Sequence, residues 1–325
     1  MSSMNRQEYY KSKKAAMKKK RRRRLITWIL LPTLIIIAGI AVYATSLYNK
    51  AESVMNKSYV PVNRDKPKVN SLGNTSILFI GVDDSTKRQE TSARSDALMV
   101  ATFNKKDKSV KLLSIPRDSY VHIPEKDIYT KITHAHAYGG VKLTIETVQE
   151  LLGIPIDYYV KMNFNAFIDV VNALGGVTVD VPYTFSEQDS HDNAKAITLQ
   201  KGVQTLNGEQ ALAFARTRHM DSDIYRGGRQ QELVKAILKK ATEAKSITNY
   251  SNVLEAIGKN MTTDLTFDQL KSYASYLQTG KSLNIESLKL EGSDDMIDGV
   301  YYYKLDEASL DQTKAELKKQ LEISE

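Results

Sequence analysis

The chain has no cysteine. Disulfides, thiolate zinc sites, iron–sulfur clusters and cysteine nucleophiles are therefore excluded together. Seven prolines and 16 glycines in 325 residues are too few for a linker-dominated or collagen-like chain. At 42% hydrophobic and 26% charged, the composition is ordinary globular usage, which excludes wholesale disorder. No G-x-S-x-G, Walker A or G-x-G-x-x-G run occurs. That argues against a serine hydrolase of the nucleophile-elbow kind, a P-loop ATPase and a dinucleotide enzyme. No internal repeat is present.

Charge is missing from one long stretch, Leu25 to Tyr48, which has no charged residue over 24 positions. About 20 apolar residues cross the hydrocarbon core as a helix. The stretch is predicted to be a transmembrane signal-anchor helix, with Pro32 absorbed as one local break and Trp28 and Tyr48 near the interfaces. Residues 1–24 hold eleven basic side chains against Glu8 alone, a net +10, and the formal total of +8 leaves −2 for the rest. By the positive-inside rule the tail is cytoplasmic and everything after residue 49 lies outside, in a single-pass protein of the cell membrane. A basic tail can also bind nucleic acid, but a span beside it holds this one against the inner leaflet of the lipid bilayer. No nucleic-acid partner is expected. The apolar stretch is longer than the roughly 7–15 residues of a cleaved signal peptide and has no small-x-small site after it, so the anchor is expected to be retained.

Residues 49–73 lack sustained apolar periodicity and contain Pro61 and Pro67, so a stalk is expected there. From Ser76 the texture changes. Apolar runs predict strands at SILFIGV, Ala97–Phe103, Val110–Ile115, Tyr158–Met162 and Val177–Val181, and near 284–290 and 299–304. Helical spacing is read at Val141–Leu152, Ala166–Leu174, Gly208–Arg216, Arg229–Ala244, 266–278 and 306–323. Alternating strands and helices predict an α/β class, a central mixed β-sheet flanked by helices in an α-β-α arrangement. One domain over 74–325 is expected, with two as the alternative.

Arginine is scarce in this body. Only eight of its 35 basic residues are Arg, and four of those fall between positions 216 and 229, where no Lys occurs. A Lys-rich body that clusters Arg216, Arg218, Arg226 and Arg229 points to guanidinium forks that grip phosphate or carboxylate oxygens. The alternative is an ion-pair network with Asp221 and Asp223. Asp83 follows a strand end and Asp96 precedes the next strand, and loops at strand ends are where α/β sheets place ligands. Two carboxylates without thiolates suit Mg²⁺ or Mn²⁺. His134 and His136, if on a strand, would share one face, but no third metal ligand is apparent nearby.

Eight segments follow one another in order: Ile77 to Asp83, Arg94-Ser-Asp96, Ser114-Ile-Pro-Arg117-Asp118, Lys131 to Ala135 with Gly139-Gly140, Leu174 to Val177, Leu206 to Leu212, Arg216-Thr-Arg218, and Arg226-Gly-Gly-Arg229-Gln230. Together they resemble the LytR–CpsA–Psr family of cell-wall glycopolymer ligases over residues 74–245, as do the basic tail and anchor. Thr133 stands where the family usually has Asn, and Asn207-Gly208 where it has Asp-Gly. The resemblance implies transfer of a teichoic acid or capsule-type polymer from a polyprenyl diphosphate carrier to peptidoglycan, at the muramic acid C6 hydroxyl. It implies a diphosphate on Arg94, Arg117, Arg218, Arg226 and Gln230, supported by Arg216 and Arg229. It further implies Mg²⁺ on Asp83 and Asp96 and an apolar tunnel for the prenyl chain. Either Asp83 or Asp96 could serve as the base, and water as acceptor would make the same site a pyrophosphatase. A membrane-bound transcriptional regulator is the third reading, disfavoured because the anchor puts the body on the wrong side for DNA.

Overall fold

A computed structural model describes residues 39, 41–64, 73–82, 94–217, 223–241, 250–269, 272 and 284–323. The chain divides into two units, Met1–Lys50 and Ala51–Glu325. In the first, residues 41–50 are helical. Among the described residues no helix is long and apolar enough to cross a membrane. The basic tail and most of the span expected at 25–48 lie outside those residues.

The second unit is built on a six-stranded mixed sheet. Its strands are β1 (Thr75–Val82), β2 (Ser95–Asn104), β3 (Ser109–Ile115), β6 (Tyr158–Asn163), β11 (Met261–Thr263) and β12 (Asn284–Leu288), in spatial order β11-β6-β1-β2-β3-β12. β1 runs parallel to β6, and β3 to β12; the other neighbours are antiparallel. The central strands read as near-continuous apolar runs because both faces of the sheet are covered. On one face Leu78, Ile80, Leu98 and Val100 pack with Leu143 and Val148 of α2 (Thr133–Leu152) and Leu317 of α7 (Glu307–Leu321). On the other, Ile77 and Tyr158 pack with Met55, and Met99 and Leu112 pack with Val234 of α5 (Asp223–Ala241). Phe79, Phe103 and Val160 on this second face remain only partly buried.

A second apolar cluster joins α3 (Phe164–Ala173), α4 (Gly208–Arg216) and α5 to the antiparallel pair of β7 (Val177–Val181) and β10 (Gly202–Leu206). Gly208 is required there. A Cβ at this position would stand 2.3 Å from the Ile168 carbonyl oxygen, so only glycine lets α4 seat its first turn on α3. Asn207 caps α4 in a reciprocal capping box with Gln210, and Gly208 N–H donates to Asn172 Oδ1 at 2.8 Å.

The long elements match the sequence reading, and the differences have local causes. The stretch read as a stalk is packed onto the body as far as residue 64. Residues 51–58 form helix α1, Met55 is buried, and Val60 N–H donates to the Thr263 carbonyl at 2.8 Å. The buried Arg64 guanidinium donates to the carbonyls of Ile156 and Asp157 and pairs with Asp264 at 3.4 Å. This desolvated anchor satisfies its charge on backbone that no local pattern announces. α5 begins at Asp223 rather than Arg229. Glycines in a helix cost about 1 kcal/mol each, but a Cβ at Gly227 would lie 2.8 Å from Ser114 Oγ, so the helix needs the close approach to β3. The hairpins β4 (Tyr120–Ile123)–β5 (Ile128–Lys131) and β8 (Phe185–Glu187)–β9 (Ile197–Leu199), the strand β13 (Gly292–Ile297) and α6 (Tyr250–Asn260) are additions, mostly too short to show a period; β13 pairs with β14 (Val300–Leu305), the strand expected near 299–304. The helix expected over 266–278 lies largely outside the described residues.

Candidate functional site

β1, β3, β6 and β12 all end at one edge of the sheet, and Asp96 and Arg117 lie at it, where β2 begins and β3 ends. At this edge the β1–β2 register slips: Gly81 pairs with Ala97 and Val82 with Ser95, so β2 carries the extra residue, Asp96. A bulge bends its own strand and takes the extra residue out of the ladder, here one of the predicted site carboxylates. Asp83, which follows β1 in sequence, lies outside the described residues, as does Arg218.

The loop after β3 supplies the best-defined cluster. Arg117 pairs with Asp96 through Nη1 and Oδ1, and its Nε lies 3.5 Å from Asp118 Oδ2. Lys131 Nζ reaches Asp118 Oδ1 at 2.8 Å. The result is an alternating chain, Asp96–Arg117–Asp118–Lys131, with Asp118 buried and Arg117 and Asp96 partly open to solvent. The loop is fixed by its backbone. Ser119 N–H and Oγ both donate to the Pro116 carbonyl, and Thr133 N–H donates to the Arg117 carbonyl at 3.1 Å. Thr133 Oγ1 donates to the Ser95 carbonyl at 2.8 Å, which ties the segment of Arg94 and Asp96 to the same loop. Asp118, Lys131 and Thr133 thus belong to the site, although only their place in the motifs pointed to them.

The His134–Ala–His136 segment is helical, not a strand, so the expected shared face does not exist. It forms the first turns of α2 before a break at Gly139 and Gly140, where the backbone leaves helical geometry. His134 Nδ1 lies 2.9 Å from Thr130 Oγ1. Burial pushes its imidazole below the ordinary value, and the charges of Arg94 and Lys131 push the same way, against Asp118. Its neutral form is favoured at neutral pH.

The arginines of α4 and α5 divide by what they touch. Arg229 is buried, and its Nε donates to the Phe214 carbonyl at 3.1 Å, Nη2 to the Thr217 carbonyl and Nη1 to Tyr183 Oη at 3.4 Å. A cation thereby closes the C-terminal end of α4, where unsatisfied carbonyls gather. Arg216 stacks over Phe164 at 5.1 Å and pairs with Asp192 at 3.7 Å. Asp221 and the side chain of Asp223, the partners of the ion-pair alternative, lie outside the described residues. Gln230 Nε2 lies 3.4 Å from the Ala215 carbonyl. Arg226 is buried in the first turns of α5, beside Gly227, whose contact with Ser114 brings these turns to the end of β3. A small cavity lined by Ser114, Pro116, Gly227, Gln231 and Leu290 opens at this edge.

Among the described residues no group of three or more His, Cys, Asp or Glu side chains is arranged to hold a metal ion. Asp96 nevertheless fits a hard cation by donor type. One carboxylate oxygen is engaged by Arg117, and a carboxylate has lone pairs to spare on the other.

The sequence model of the LytR_cpsA_psr family matches residues 42–319. The polyisoprenyl-teichoic acid–peptidoglycan teichoic acid transferase TagT of Bacillus subtilis strain 168 is 41% identical over 305 residues, spanning 90% of this chain and 93% of that protein. A solved structure of TagT bound to LIIa-WTA matches with a TM-score of 0.66 at 43% identity, covering 81% of this chain and 96% of its own. A LytR-CPS2A-psr family protein, YwtF (TagT), with bound octaprenyl pyrophosphate lipid matches with a TM-score of 0.62 at 41% identity and the same coverage.

Proposed function

This chain belongs to the LytR–CpsA–Psr family, and from that premise we propose that it is a transferase of cell-wall assembly. It moves an anionic glycopolymer, of teichoic acid or capsule type, from a polyprenyl diphosphate carrier to the muramic acid C6 hydroxyl of peptidoglycan. The observation that carries this reading is the meeting of an arginine–carboxylate cluster with a partly covered apolar face of one sheet. Arg117 and Asp96 stand at the strand ends, and Phe79, Phe103 and Val160 lie along the face behind them. A prenyl chain suits that face, in an apolar tunnel between sheet and helices, and a diphosphate suits the cluster. The reaction is placed at the outer side of the cell membrane, with the N-terminal tail in the cytoplasm.

In this reading Arg94, Arg117, Arg218, Arg226 and Gln230 hold the diphosphate oxygens. Arg216 and Arg229 brace the segments that carry them. The acceptor oxygen attacks the polymer-side phosphorus, the bridging P–O bond breaks, and polyprenyl monophosphate departs with the electron pair. Fixed guanidinium groups stabilise the charge that develops on the departing oxygen. The acceptor proton passes to a carboxylate, for which Asp96 is the described candidate. A Mg²⁺ or Mn²⁺ ion held by Asp83 and Asp96 would supply further neutralisation of the phosphate oxygens.

The test is incubation of the full-length chain with a labelled synthetic polyprenyl diphosphate-linked polymer and peptidoglycan. Label bound to peptidoglycan is expected, with polyprenyl monophosphate released in equal amount. Release of soluble labelled polymer alone would make the protein a hydrolase.

A further inference from the structure

The charged chain at the site does not end at Lys131. Its ammonium lies over the rings of Tyr301 and Tyr302, at 5.5 and 5.7 Å from their centroids. Tyr302 meets Tyr120 edge-on at 4.9 Å, and Tyr120 lies 5.6 Å from Tyr129 with the planes tilted by 35°. Four tyrosines thus extend the Asp96–Arg117–Asp118–Lys131 chain outward over two hairpins.

This aromatic group is held rigidly. β14 pairs with the site loop through a bridge between Ser119 and Tyr303, and Tyr303 N–H donates to the Asp118 carbonyl at 2.9 Å. Tyr303 is buried beneath, its phenol pushed up to about 12 by burial and by the charges of Asp294 and Glu291. The outer rings are not buried. Tyr129 is 62% exposed, and Tyr120, Tyr301 and Tyr302 are partly exposed. Tyrosines presented on rigid strands, each with an apolar ring face and a polar rim, form a surface for a ligand with both characters.

We propose that Tyr120, Tyr129, Tyr301 and Tyr302 form the subsite for the acceptor glycan, stacking on the apolar faces of its N-acetylated sugar rings. The inference rests on the transfer reading above. Charge selects the acceptor over the donor polymer. β13 and β14, with the turn between them, carry Asp294, Asp295 and Asp298 against Lys304 alone. Lys131 is already neutralised by Asp118. An anionic polymer, charged at every repeat, would be repelled along this hairpin, whereas the neutral N-acetylated sugar rings of the acceptor, whose charges sit on the stem peptides, are not. Continuity with the cluster then delivers an acceptor hydroxyl toward Arg117 and Asp96.

The test measures kinetics and binding with the full-length protein and a peptidoglycan tetrasaccharide bearing its stem peptides. Tyr129→Ala and Tyr302→Ala are expected to raise the acceptor KM at least about fivefold, with the donor KM and kcat within about twofold of wild type. Tyr129→Phe, which keeps the ring, is expected to behave as wild type. Titration of the tetrasaccharide alone is expected to show binding by wild type and by Tyr129→Phe, and its loss in Tyr129→Ala. An acceptor KM unchanged in both alanine variants, or a donor KM that rises with it, would overturn the subsite. Transfer that continues with indifferent tyrosines refutes the subsite and leaves the transfer reading standing. Tetrasaccharide binding that depends on the tyrosines without any transfer refutes the transfer reading and leaves the subsite standing.

Discussion

Arg229→Lys separates an arginine that braces the site from one that binds substrate. The buried guanidinium of Arg229 donates to the carbonyls of Phe214 and Thr217 and to Tyr183 Oη. Hydrogen bonds from a charged donor contribute about 1.5–3 kcal/mol each, and an orphaned buried carbonyl costs about 1–3 kcal/mol. Lysine keeps the charge but not the fork, so at least one of the two carbonyls at the end of α4 loses its partner. A loss of about 2–3 kcal/mol follows. For a unit of this size each kcal/mol moves Tm by about 2–4 °C, so a fall of about 5–10 °C is expected. Thermal unfolding by circular dichroism measures it, beside initial transfer rates at a temperature where the variant is folded. Those rates should stay within about threefold of wild type, less than the 1.4 kcal/mol that a tenfold change represents. An unchanged Tm with transfer reduced tenfold or more would refute the brace and place this guanidinium on the substrate.

Asp96→Ala should abolish transfer while moving Tm little, because a partly exposed ion pair is worth about 0–1 kcal/mol; activity of the variant, or undiminished transfer by wild type in EDTA, would contradict the role given to this carboxylate and its metal. Gly208→Ala should destabilise the protein by about 1–3 kcal/mol or more, since the new methyl would stand 2.3 Å from the Ile168 carbonyl oxygen; a wild-type melting curve would contradict the close seating of α4 on α3. His122 pins the β4–β5 hairpin between Glu150 at 2.7 Å and Asp127 at 3.0 Å, and hydrogen bonds to these two carboxylates raise its pKa. Its contribution should be complete below the unfolded value of about 6.5 and vanish as pH rises through the raised folded value. The difference in Tm between wild type and His122→Ala should therefore shrink with rising pH, and a difference that grows would reverse the assignment.

The central sheet was legible because strands buried on both faces need near-continuous apolar runs, as in ILFIGV and ALMVATF. Short hairpins were not, since three or four residues cannot display a period of two against background. The start of α5 was hidden because two adjacent glycines, Gly227 and Gly228, are poor helix formers, and the approach of Ser114 that calls for Gly227 is not visible in the sequence. The site divides similarly. Arg117 and Asp96 stood out by motif and position, and they meet. Arg216 and Arg229 stood out by their scarcity, but composition does not reveal which carbonyl a guanidinium faces. Arg64 shows the reverse failure: an isolated arginine between prolines read as linker, yet it is buried on Ile156, Asp157 and Asp264.

What defines this protein's reaction is the bond that is made. Peptidoglycan recovered after incubation with donor and full-length protein can be digested to muropeptides and weighed by mass spectrometry. The expected product is a muropeptide that carries the polymer's first sugar through a phosphodiester on the muramic acid C6 oxygen, formed together with polyprenyl monophosphate. Unmodified muropeptides alongside free polymer ending in a phosphate would contradict it.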